Sequence, residues 1–357
     1  MNNCPHFSLC SGCELGENIF HPPIWDEIQD FFNHKITLIA DQFAHTRYKA
    51  KLAVRPGPAI GLFKKNTHEV LSIPHCHTHH PAINRAVALI KQALAIHPIA
   101  PYQENPPSGL LRYIQLFVDR ATHKIQLVLI LNHQTHLQDF CRTLLQHDLW
   151  HSIWLNFHPD PTNRILGDQW QLIHGEPFLW QTLNNTPIAF HPGAFSQAHL
   201  PLFEKMIQKI ATWIPPNEPL LELYAGVGAI ALSLPNPATL IENNPFAHLS
   251  FLETLKQLPQ HEQKRYTYHC INANCAPIPD NSLILVDPPR KGLEKTILEK
   301  LCALTHSRLI YISCGFESFK RDCERLQKAG WTIQDTQAYL LFPGTNHVEI
   351  VALLQKV

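Results

Sequence analysis

The sequence predicts an α/β protein in which a loop-rich α+β first half precedes a doubly wound parallel sheet. Two observations support this class. In the first 190 residues, prolines are scattered between separated strand-like runs; beyond them, short apolar runs alternate with helical or polar stretches. A chain of 357 residues is long enough for two domains, each with its own core. We therefore predict one domain over residues 1–189 and another over residues 190–357.

Strand-like and helical runs can be assigned in both halves. The strand-like runs at 110–119 and 124–132 are close in sequence, which suggests an antiparallel hairpin. The other predictions for the first half are strands at 48–56 and 152–157 and an amphipathic helix at 134–148. Those for the second half are a helix at 199–214, a strand–turn–helix at 219–234, and strands at 238–242, 268–272, 283–287, 308–313 and 347–355.

Composition restricts the possible partners and compartments. Lys plus Arg and Asp plus Glu both number 29, so nucleic-acid binding would need a local basic patch. The N-terminus lacks the regions of a secretion signal, and no apolar run reaches the length of a membrane span. We therefore expect a cytosolic protein in which the ten cysteines do not form disulfides. The 24 histidines include no HExxH-type pair, and we interpret them as a feature of composition.

A glycine turn follows the first strand of the second half, in LELYAGVGAI. Gly226 and Gly228 let the backbone turn sharply into a helix and approach a ligand closely. One strand later, Glu242 ends TLIE, where an acid can accept both ribose hydroxyls of a nucleotide-like cofactor. The third glycine of the dinucleotide fingerprint is missing, which disfavours a pyrophosphate cofactor and fits S-adenosylmethionine. A tight turn without a ligand is the alternative.

Two further segments follow strands of the same predicted sheet. In LVDPPRKGLE, Asp287 and Arg290 flank a stiff Pro-Pro pair, and this loop is either a platform for a flat base or only a structural turn. In YISCGFESFKRD, Cys314 lies between a strand and the first turn of a helix. Amides at a helix N-terminus lower a thiol pKa, so we expect Cys314 to favour the thiolate and to act in covalent catalysis. A buried core thiol is the alternative.

Four cysteines have the spacing of a metal or cluster site. Three lie in CPHFSLCSGC and one in SIPHCHTHH, at positions Cys4, Cys10, Cys13 and Cys76. Such a set suits a tetrahedral metal or an iron–sulfur cubane, and the spacing alone does not separate zinc from iron. Unrelated thiols near a flexible terminus are the alternative.

One basic strand is the candidate for phosphate contacts. In RYKAKLAVRP, alternation puts Arg47, Lys49 and Lys51 on one face of a strand. Such a face can neutralise several phosphates and make binding sensitive to salt. A solvated strand face is the alternative.

Taken together, these motifs resemble a known family. The order of LELYAGVGAI, DPPRKGLE, SCGFESFKRD and FPGTNHVEIVALL, with HPGAFSQAH upstream, is similar to that of the RNA 5-methyluridine methyltransferases, the TrmA, RlmC and RlmD group. The resemblance covers essentially the whole chain. It implies a Rossmann-like S-adenosylmethionine-dependent methyltransferase domain preceded by an α+β iron–sulfur and RNA-binding domain.

The resemblance also implies roles for individual residues. Cys314 would be the nucleophile that adds to carbon 6 of uracil, and Glu349 would be the base that removes the proton from carbon 5. The residues expected to contact S-adenosylmethionine are Gln197, Tyr224, Gly226, Gly228, Glu242 and Asp287. A 4Fe–4S cluster would be held by Cys4, Cys10, Cys13 and Cys76, and RNA would contact Arg47, Lys49, Lys51 and Arg290.

One position departs from the family pattern. Where the family has Ser-Cys-Asn, this chain has Ser313, Cys314 and Gly315, which we interpret as altered local support or substrate contact. The chain begins at the cysteines, without the TRAM barrel of some relatives, so we expect the RlmC branch and 23S ribosomal RNA as the substrate. The alternatives are a tRNA enzyme, a catalytically silent RNA-binding protein and a cytosine-5 methyltransferase. No obligate protein partner is implied.

Overall fold

The structure is a computed structural model that describes residues 4–32, 34–57, 59–104, 106–160, 162 and 164–357. Its contacts group into two compact units. The first contains the chain up to Glu17, Gln42–Gln181 and Gln197–Leu200. The second contains Asn18–Asp41, Thr182–Ser196 and Pro201–Val357.

Helices and strands occur in both units. The helices, in chain order, are α1 Ile24–Phe32, α2 Pro81–Ile96, α3 Gln138–Leu144, α4 Leu200–Ala211, α5 Ala229–Leu232, α6 Pro245–Leu255, α7 Gln260–Gln263, α8 Lys295–Ala303 and α9 Phe316–Lys328. The strands are β1 Leu38–Ile39, β2 Lys49–Arg55, β3 Ala59–Phe63, β4 Val70–Ser72, β5 Leu111–Val118, β6 Ile125–Leu131, β7 Trp150–Phe157, β8 Gln169–Gly175, β9 Leu179–Leu183, β10 Thr186–Phe190, β11 Leu220–Leu223, β12 Ala238–Glu242, β13 Tyr266–Cys270, β14 Leu283–Val286, β15 Ser307–Ser313, β16 Thr332–Tyr339 and β17 Glu349–Lys356. Within the described ranges, none of the helices is long and apolar enough to cross a bilayer.

The first unit contains a mixed sheet with the strand order β4-β3-β2-β5-β6-β7-β8. The predicted hairpin is confirmed, because β5 and β6 pair antiparallel, with Gln115 opposite Val128. The sequence analysis did not predict α2, which begins at Pro81 and is capped where the Nδ1 of His80 accepts from the Ala82 amide at 3.2 Å. The apolar faces of α2 and α3 join the core of this sheet.

The second unit contains a sheet with the strand order β1-β16-β17-β15-β14-β11-β12-β13. Strands β11 to β15 pair in parallel, as the alternation of apolar runs predicted. The predicted last strand, β17, runs antiparallel to β15 and β16, a direction that the sequence analysis did not assign. The reason for this direction is the connection between β16 and β17 at 340–348, which is too short for the crossover that a parallel pair requires.

Two segments before residue 190 also belong to the second unit, so its extent differs from the predicted boundary at 189/190. Residues 18–41 supply α1, whose Trp25, Ile28 and Phe32 are buried in the same core as β14 and β15. The same segment supplies β1, which pairs in parallel with β16. Residues 182–196 are the other segment.

Candidate active site

The candidate active site lies at the carboxyl edge of the parallel strands in the second unit. The residues that end or directly follow these strands are Tyr224, Glu242, Asp287 and Cys314. Parallel strands end on the same side of a sheet, so four strands bring these side chains to one edge. The predicted cofactor and nucleophile residues of this unit therefore share one edge.

The pairing of β15 with β17 brings Glu349 to the same edge. This antiparallel ladder ends with Ser313 opposite Ile350, so Cys314, the residue after β15, follows directly at the end of the ladder where Glu349 begins β17. Glu349 is only 6% exposed. The charge of Glu349 also acts on the Cys314 thiol. The two residues predicted as nucleophile and base are therefore neighbours.

The glycine turn after β11 has a backbone that favours glycine at both predicted positions. Gly226 has φ +55°, and a Cβ placed there would meet no other described atom within 4 Å, so this side of the turn is open. Gly228 has φ +77°, and a Cβ there would lie 2.7 Å from the Leu240 Cδ2. Tyr224 also has a positive φ, +60°. The turn is therefore tightly packed on one side and open on the other.

Backbone amides fix the Glu242 carboxylate beside this turn. Its Oε2 accepts from the Gly226 amide at 3.1 Å, and its Oε1 accepts from the amides of Asn243 and Asn244 at 2.8 and 2.9 Å. The hydroxyl of Tyr268 donates to the Gly226 carbonyl at 2.7 Å and holds the turn from the other side. A fixed carboxylate next to an open glycine turn suits the ribose hydroxyls of S-adenosylmethionine, so these residues fit that cofactor.

Burial and repulsion between neighbouring acids raise the pKa of three carboxyl groups in or next to this sheet. Burial raises the pKa of Glu222, 2% exposed, to about 8. Burial and the Glu242 charge raise the pKa of Asp287 to about 7. Burial and the Asp287 charge raise the pKa of Glu349 to about 8. At neutral pH, the protonated form of the Glu349 carboxyl is therefore more favoured than it is in an exposed glutamate.

The expectation that Cys314 favours the thiolate is wrong for the ligand-free chain. Burial, with the charges of Glu349 and Asp287, raises the pKa of the Cys314 thiol to about 11, and Arg290 only partly opposes this. α9 begins two residues later, at Phe316. The desolvation and the two acids therefore outweigh the helix amides.

α9 holds the D-P-P-R loop beside Cys314 through hydrogen bonds to its backbone. The Ser318 hydroxyl donates to the Arg290 carbonyl at 2.9 Å. One turn further along α9, the buried Asp322 carboxylate accepts from the Leu293 amide at 2.7 Å and from the Tyr311 hydroxyl at 2.8 Å. These contacts fix the loop that carries both Asp287 and Arg290.

The glycine at position 315 has a steric reason in this structure. A Cβ at Gly315 would lie 2.8 Å from the Arg290 carbonyl oxygen and 3.0 Å from the Ser318 hydroxyl. The backbone of Gly315 is extended, with φ −133°, so the constraint is the close approach of the loop. An asparagine, as the resembling family has at this position, would require the loop to shift.

Three supporting residues of this site were not predicted from the sequence: Glu222, Tyr268 and Asp322. Glu222 had a usable signal, because an acid inside the apolar run LLEL must either be exposed or be buried for a reason. Tyr268 and Asp322 had no such signal, since their partners are 42 and 29 residues away in sequence.

Gln197 and Arg290, two other predicted site residues, lie in different units. Gln197 is buried in the first unit, with residues 197–200. Its role in cofactor binding stays a prediction. Arg290 is exposed in the second unit and its charge lowers the pKa of the Cys314 thiol and of the Glu349 carboxyl.

The four predicted cysteine ligands line one small cavity in the first unit, although they are far apart in sequence. The wall of this cavity includes Cys4, Cys10, Cys13, Cys76, Arg47, His77 and His79. Within the described ranges, no three His, Cys, Asp or Glu side chains are arranged closely enough to hold a metal ion as they stand. A cavity lined by four thiols nevertheless has the donor chemistry that a 4Fe–4S cluster requires.

The thiols of this cavity differ in their tendency to ionise. Burial and the neighbouring Cys76 raise the pKa of Cys13 to about 11. Burial opposes ionisation of Cys76 too, but hydrogen bonding to His79 and Thr78 outweighs it and lowers the pKa to about 6. The Arg47 charge favours the thiolates of Cys10 and Cys13. The cavity therefore contains groups that stabilise negative charge on sulfur.

The predicted basic face is divided in the structure. Arg47 precedes β2 and lies at the cysteine cavity. Lys49 and Lys51 are on β2, where burial and the Lys51 charge lower the pKa of Lys49 to about 7. The Nζ of Lys49 lies 5.0 Å from the Phe117 ring centroid, whereas Lys51 is exposed. Lys51 is therefore the member of this set that is most open to solvent.

We predict that the buried acids make the protein less stable as the pH rises. The unfolded pKa values are near 4, whereas the folded values of Glu222, Asp287 and Glu349 are about 7 to 8. The folded state thus binds more protons between these limits, and its stability falls from about pH 4 to pH 8. The Tm should drop between pH 5.5 and 8.5, and in Glu222→Gln the drop should be smaller by about 2–4 °C.

Glu317→Gln is the control for this pH prediction, because Glu317 is exposed on α9. It should follow the wild-type pH dependence of the Tm. An equal drop in wild type and Glu222→Gln would contradict the raised pKa of Glu222.

Comparisons with known proteins agree on the enzyme class. A family model described as tRNA (uracil-5-)-methyltransferase matches residues 279–357. A protein named as an uncharacterized RNA methyltransferase from Protochlamydia amoebophila is 38% identical over 374 residues, which cover 99% of this chain and 97% of the relative. Another with the same description, from Enterococcus faecalis, is 28% identical over 87% of this chain and 71% of its own length.

The fold is also that of a solved methyltransferase. A Pyrococcus abyssi tRNA (uracil-54, C5)-methyltransferase, crystallised with S-adenosyl-L-homocysteine, matches with a TM-score of 0.83 and 21% identity, over 98% of this chain and 86% of that one. The matches in sequence establish the class of the enzyme, and the solved structure has the same fold. The chain belongs to the RNA uracil-5 methyltransferase family and is an S-adenosylmethionine-dependent RNA methyltransferase.

Proposed function

We propose that the chain methylates carbon 5 of a uridine in 23S ribosomal RNA through a covalent bond between Cys314 and carbon 6 of the base. The single observation that supports this most is the neighbouring position of Cys314, which follows β15, and Glu349, which begins β17 at the same end of their ladder. A uracil that binds between them has a nucleophile and a base within reach of adjacent carbons.

In the proposed reaction, Cys314 acts as the nucleophile and Glu349 as the base. The Cys314 thiolate adds to carbon 6, the sulfur–carbon bond forms, and the electron pair of the carbon 5–carbon 6 double bond moves to an enolate. Carbon 5 then forms a bond to the methyl group as the methyl–sulfur bond of the donor breaks, which would leave the donor as a neutral thioether. The Glu349 carboxylate removes the proton left on carbon 5, the double bond re-forms, and the bond between carbon 6 and Cys314 breaks to release the thiolate.

The proposed steps need a thiolate at Cys314 and a carboxylate at Glu349, and the site favours these ionised forms only when S-adenosylmethionine is bound. In the ligand-free chain, the raised pKa values of Cys314 and Glu349, about 11 and 8, favour the protonated forms at neutral pH. When bound, S-adenosylmethionine supplies the methyl group and a positive sulfonium charge, and a positive charge at this edge favours the ionised thiol and carboxyl groups. Arg290 acts in the same direction on both residues.

Covalent trapping tests the roles of Cys314 and Glu349. RNA that contains 5-fluorouridine should form a stable adduct with the wild-type protein, because fluorine cannot leave as a proton does. Cys314→Ala should form no adduct and should lose methyl transfer by at least about 10³-fold. Glu349→Gln should accumulate a covalent complex with ordinary RNA, since the removal of the carbon 5 proton is blocked.

Cys302→Ala is the matched control for the adduct experiment, because Cys302 is a partly buried thiol on α8. It should form the adduct as the wild type does. Adduct formation by Cys314→Ala would contradict the assignment of Cys314 as the nucleophile. If the wild-type protein formed no adduct, the result would support a catalytically silent RNA-binding protein.

We also propose a 4Fe–4S cluster at Cys4, Cys10, Cys13 and Cys76. The common cavity supports this, because the four thiols come from two separate segments and still line one wall. The cluster would be held by these thiolates, and Arg47 would balance part of their negative charge. Its chemistry there would be to hold the two segments together, so a structural role is proposed.

Metal analysis of the purified protein tests the cluster. Anaerobic preparations should be brown and contain about four irons and four sulfides per chain. Cys76→Ser should lose most of this iron, whereas Cys275→Ser, at an exposed thiol, should keep it. Colourless wild-type protein with one zinc per chain would contradict the cluster.

A tRNA substrate is the second candidate, since the matching family model and the Pyrococcus abyssi enzyme are named for tRNA. Ribosomal RNA is the preferred candidate because the four-cysteine pattern of this chain resembles that of the RlmC branch, which modifies ribosomal RNA. Purified protein should methylate undermodified 23S ribosomal RNA at least about tenfold faster than undermodified total tRNA. Faster methylation of total tRNA than of 23S ribosomal RNA would contradict the ribosomal substrate and support tRNA instead.

A further inference from the structure

The segment that contains α1 and β1, residues 24–32 and 34–39, contacts the loop before Glu349 and the helix after Cys314. This segment is far from them in sequence, since the hydrogen bond from Ile24 to Asn346 joins residues 322 positions apart. The chain belongs to the first unit both before Asn18 and after Asp41. We call α1, β1 and the residues 34–37 between them the brace.

The brace contacts the loop that leads to Glu349. The Ile24 amide donates to the Asn346 Oδ1 at 2.9 Å. Trp25 and Ile28 are buried in the same core as Val348, the residue directly before Glu349. The last turn before the proposed base is therefore held by a backbone hydrogen bond and by apolar packing.

The brace also contacts the helix that follows Cys314. The ring centroids of Phe31 and Phe316 are 5.8 Å apart, with the rings edge to face. The Phe319 ring lies 6.2 Å from that of Phe31, again edge to face, and 5.9 Å from that of Phe32 in a tilted contact. Because Phe316 is the first residue of α9, these rings fix the start of the helix two residues beyond Cys314.

The end of the brace supports the strand beside Glu349. β1 pairs in parallel with β16, with Ile39 opposite Tyr339. Tyr339 is in turn opposite Glu349 in the pairing of β16 with β17. One continuous segment thus reaches the loop before Glu349, the strand beside it and the helix after Cys314.

We infer that the brace is a positioning segment that sets the distance between Cys314 and Glu349. This inference rests on the proposed covalent function, in which the two residues act in turn on adjacent carbons of one base. The β15–β17 ladder fixes their backbones, and the brace fixes the loop and the helix that aim their side chains. A displacement of about 1 Å in such a site can cost about 100-fold in rate.

Variants of Phe31 test the brace in the full-length protein. Phe31→Ala removes the contacts with both rings of α9, and Phe31→Leu keeps more apolar volume in case the alanine variant unfolds. Single-turnover methyl transfer at saturating RNA and S-adenosylmethionine should fall at least about tenfold. Binding of S-adenosylmethionine, measured by calorimetry, should change less than about twofold, because the ring contacts of Phe31 are with Phe32, Phe316 and Phe319, while hydrogen bonds to Glu242 and Tyr268 hold the glycine turn.

A second readout reports the geometry without RNA. The alkylation rate of Cys314 against pH, followed on its peptide by mass spectrometry, should give a thiol pKa at least about one unit lower in the Phe31 variants. Looser packing admits water and moves Glu349 away, and both changes favour the thiolate. Phe20→Ala, at an exposed phenylalanine outside the brace, should match the wild type in both readouts.

The inference is overturned if a folded Phe31 variant keeps the wild-type rate, or if its Cys314 alkylation profile is unchanged. Failure of the proposed function has a different signature. Cys314→Ala would then retain methyl transfer, while the alkylation profiles of the Phe31 variants would still report whether the brace positions the thiol.

Discussion

The antiparallel ladder between β15 and β17 is the constraint on which the rest of the catalytic edge depends. Parallel strands alone bring Tyr224, Glu242 and Asp287 to one edge. They do not bring Glu349 there, because Glu349 is the first residue of β17, and the first residue of a parallel strand would lie at the opposite edge. The reversed direction of β17, with Ser313 opposite Ile350, puts Glu349 at the end of the ladder where Cys314 follows β15. Cys314 and Glu349 then share one edge without any long loop.

Bringing so many acids to one apolar edge has an electrostatic consequence. Asp287 and Glu349 are desolvated and each is repelled by a neighbouring acid, so their pKa values rise to about 7 and 8, and that of the Cys314 thiol rises to about 11. A positively charged ligand is favoured at this edge, because its charge stabilises the ionised forms of these groups.

The D-P-P-R loop is positioned mainly by α9. Ser318 and Asp322 hold its backbone, and the absence of a side chain at Gly315 lets the Arg290 carbonyl approach to within contact. Gly315, which departs from the family pattern, thus has a packing explanation. The same helix begins against the aromatic rings of α1, so the loop, the helix and the N-terminal segment form one connected support.

The sequence by itself determined the alternation of strands and helices after residue 190, the glycine turn and the order of the motifs, because apolar periodicity and turn chemistry are local. It also identified the four cysteines that share a cavity. Only the tertiary structure decided that residues 18–41 join the second unit, that β17 is antiparallel and that Cys314 is a protonated thiol. These three features depend on burial and on contacts between residues far apart in the chain, which no local pattern contains.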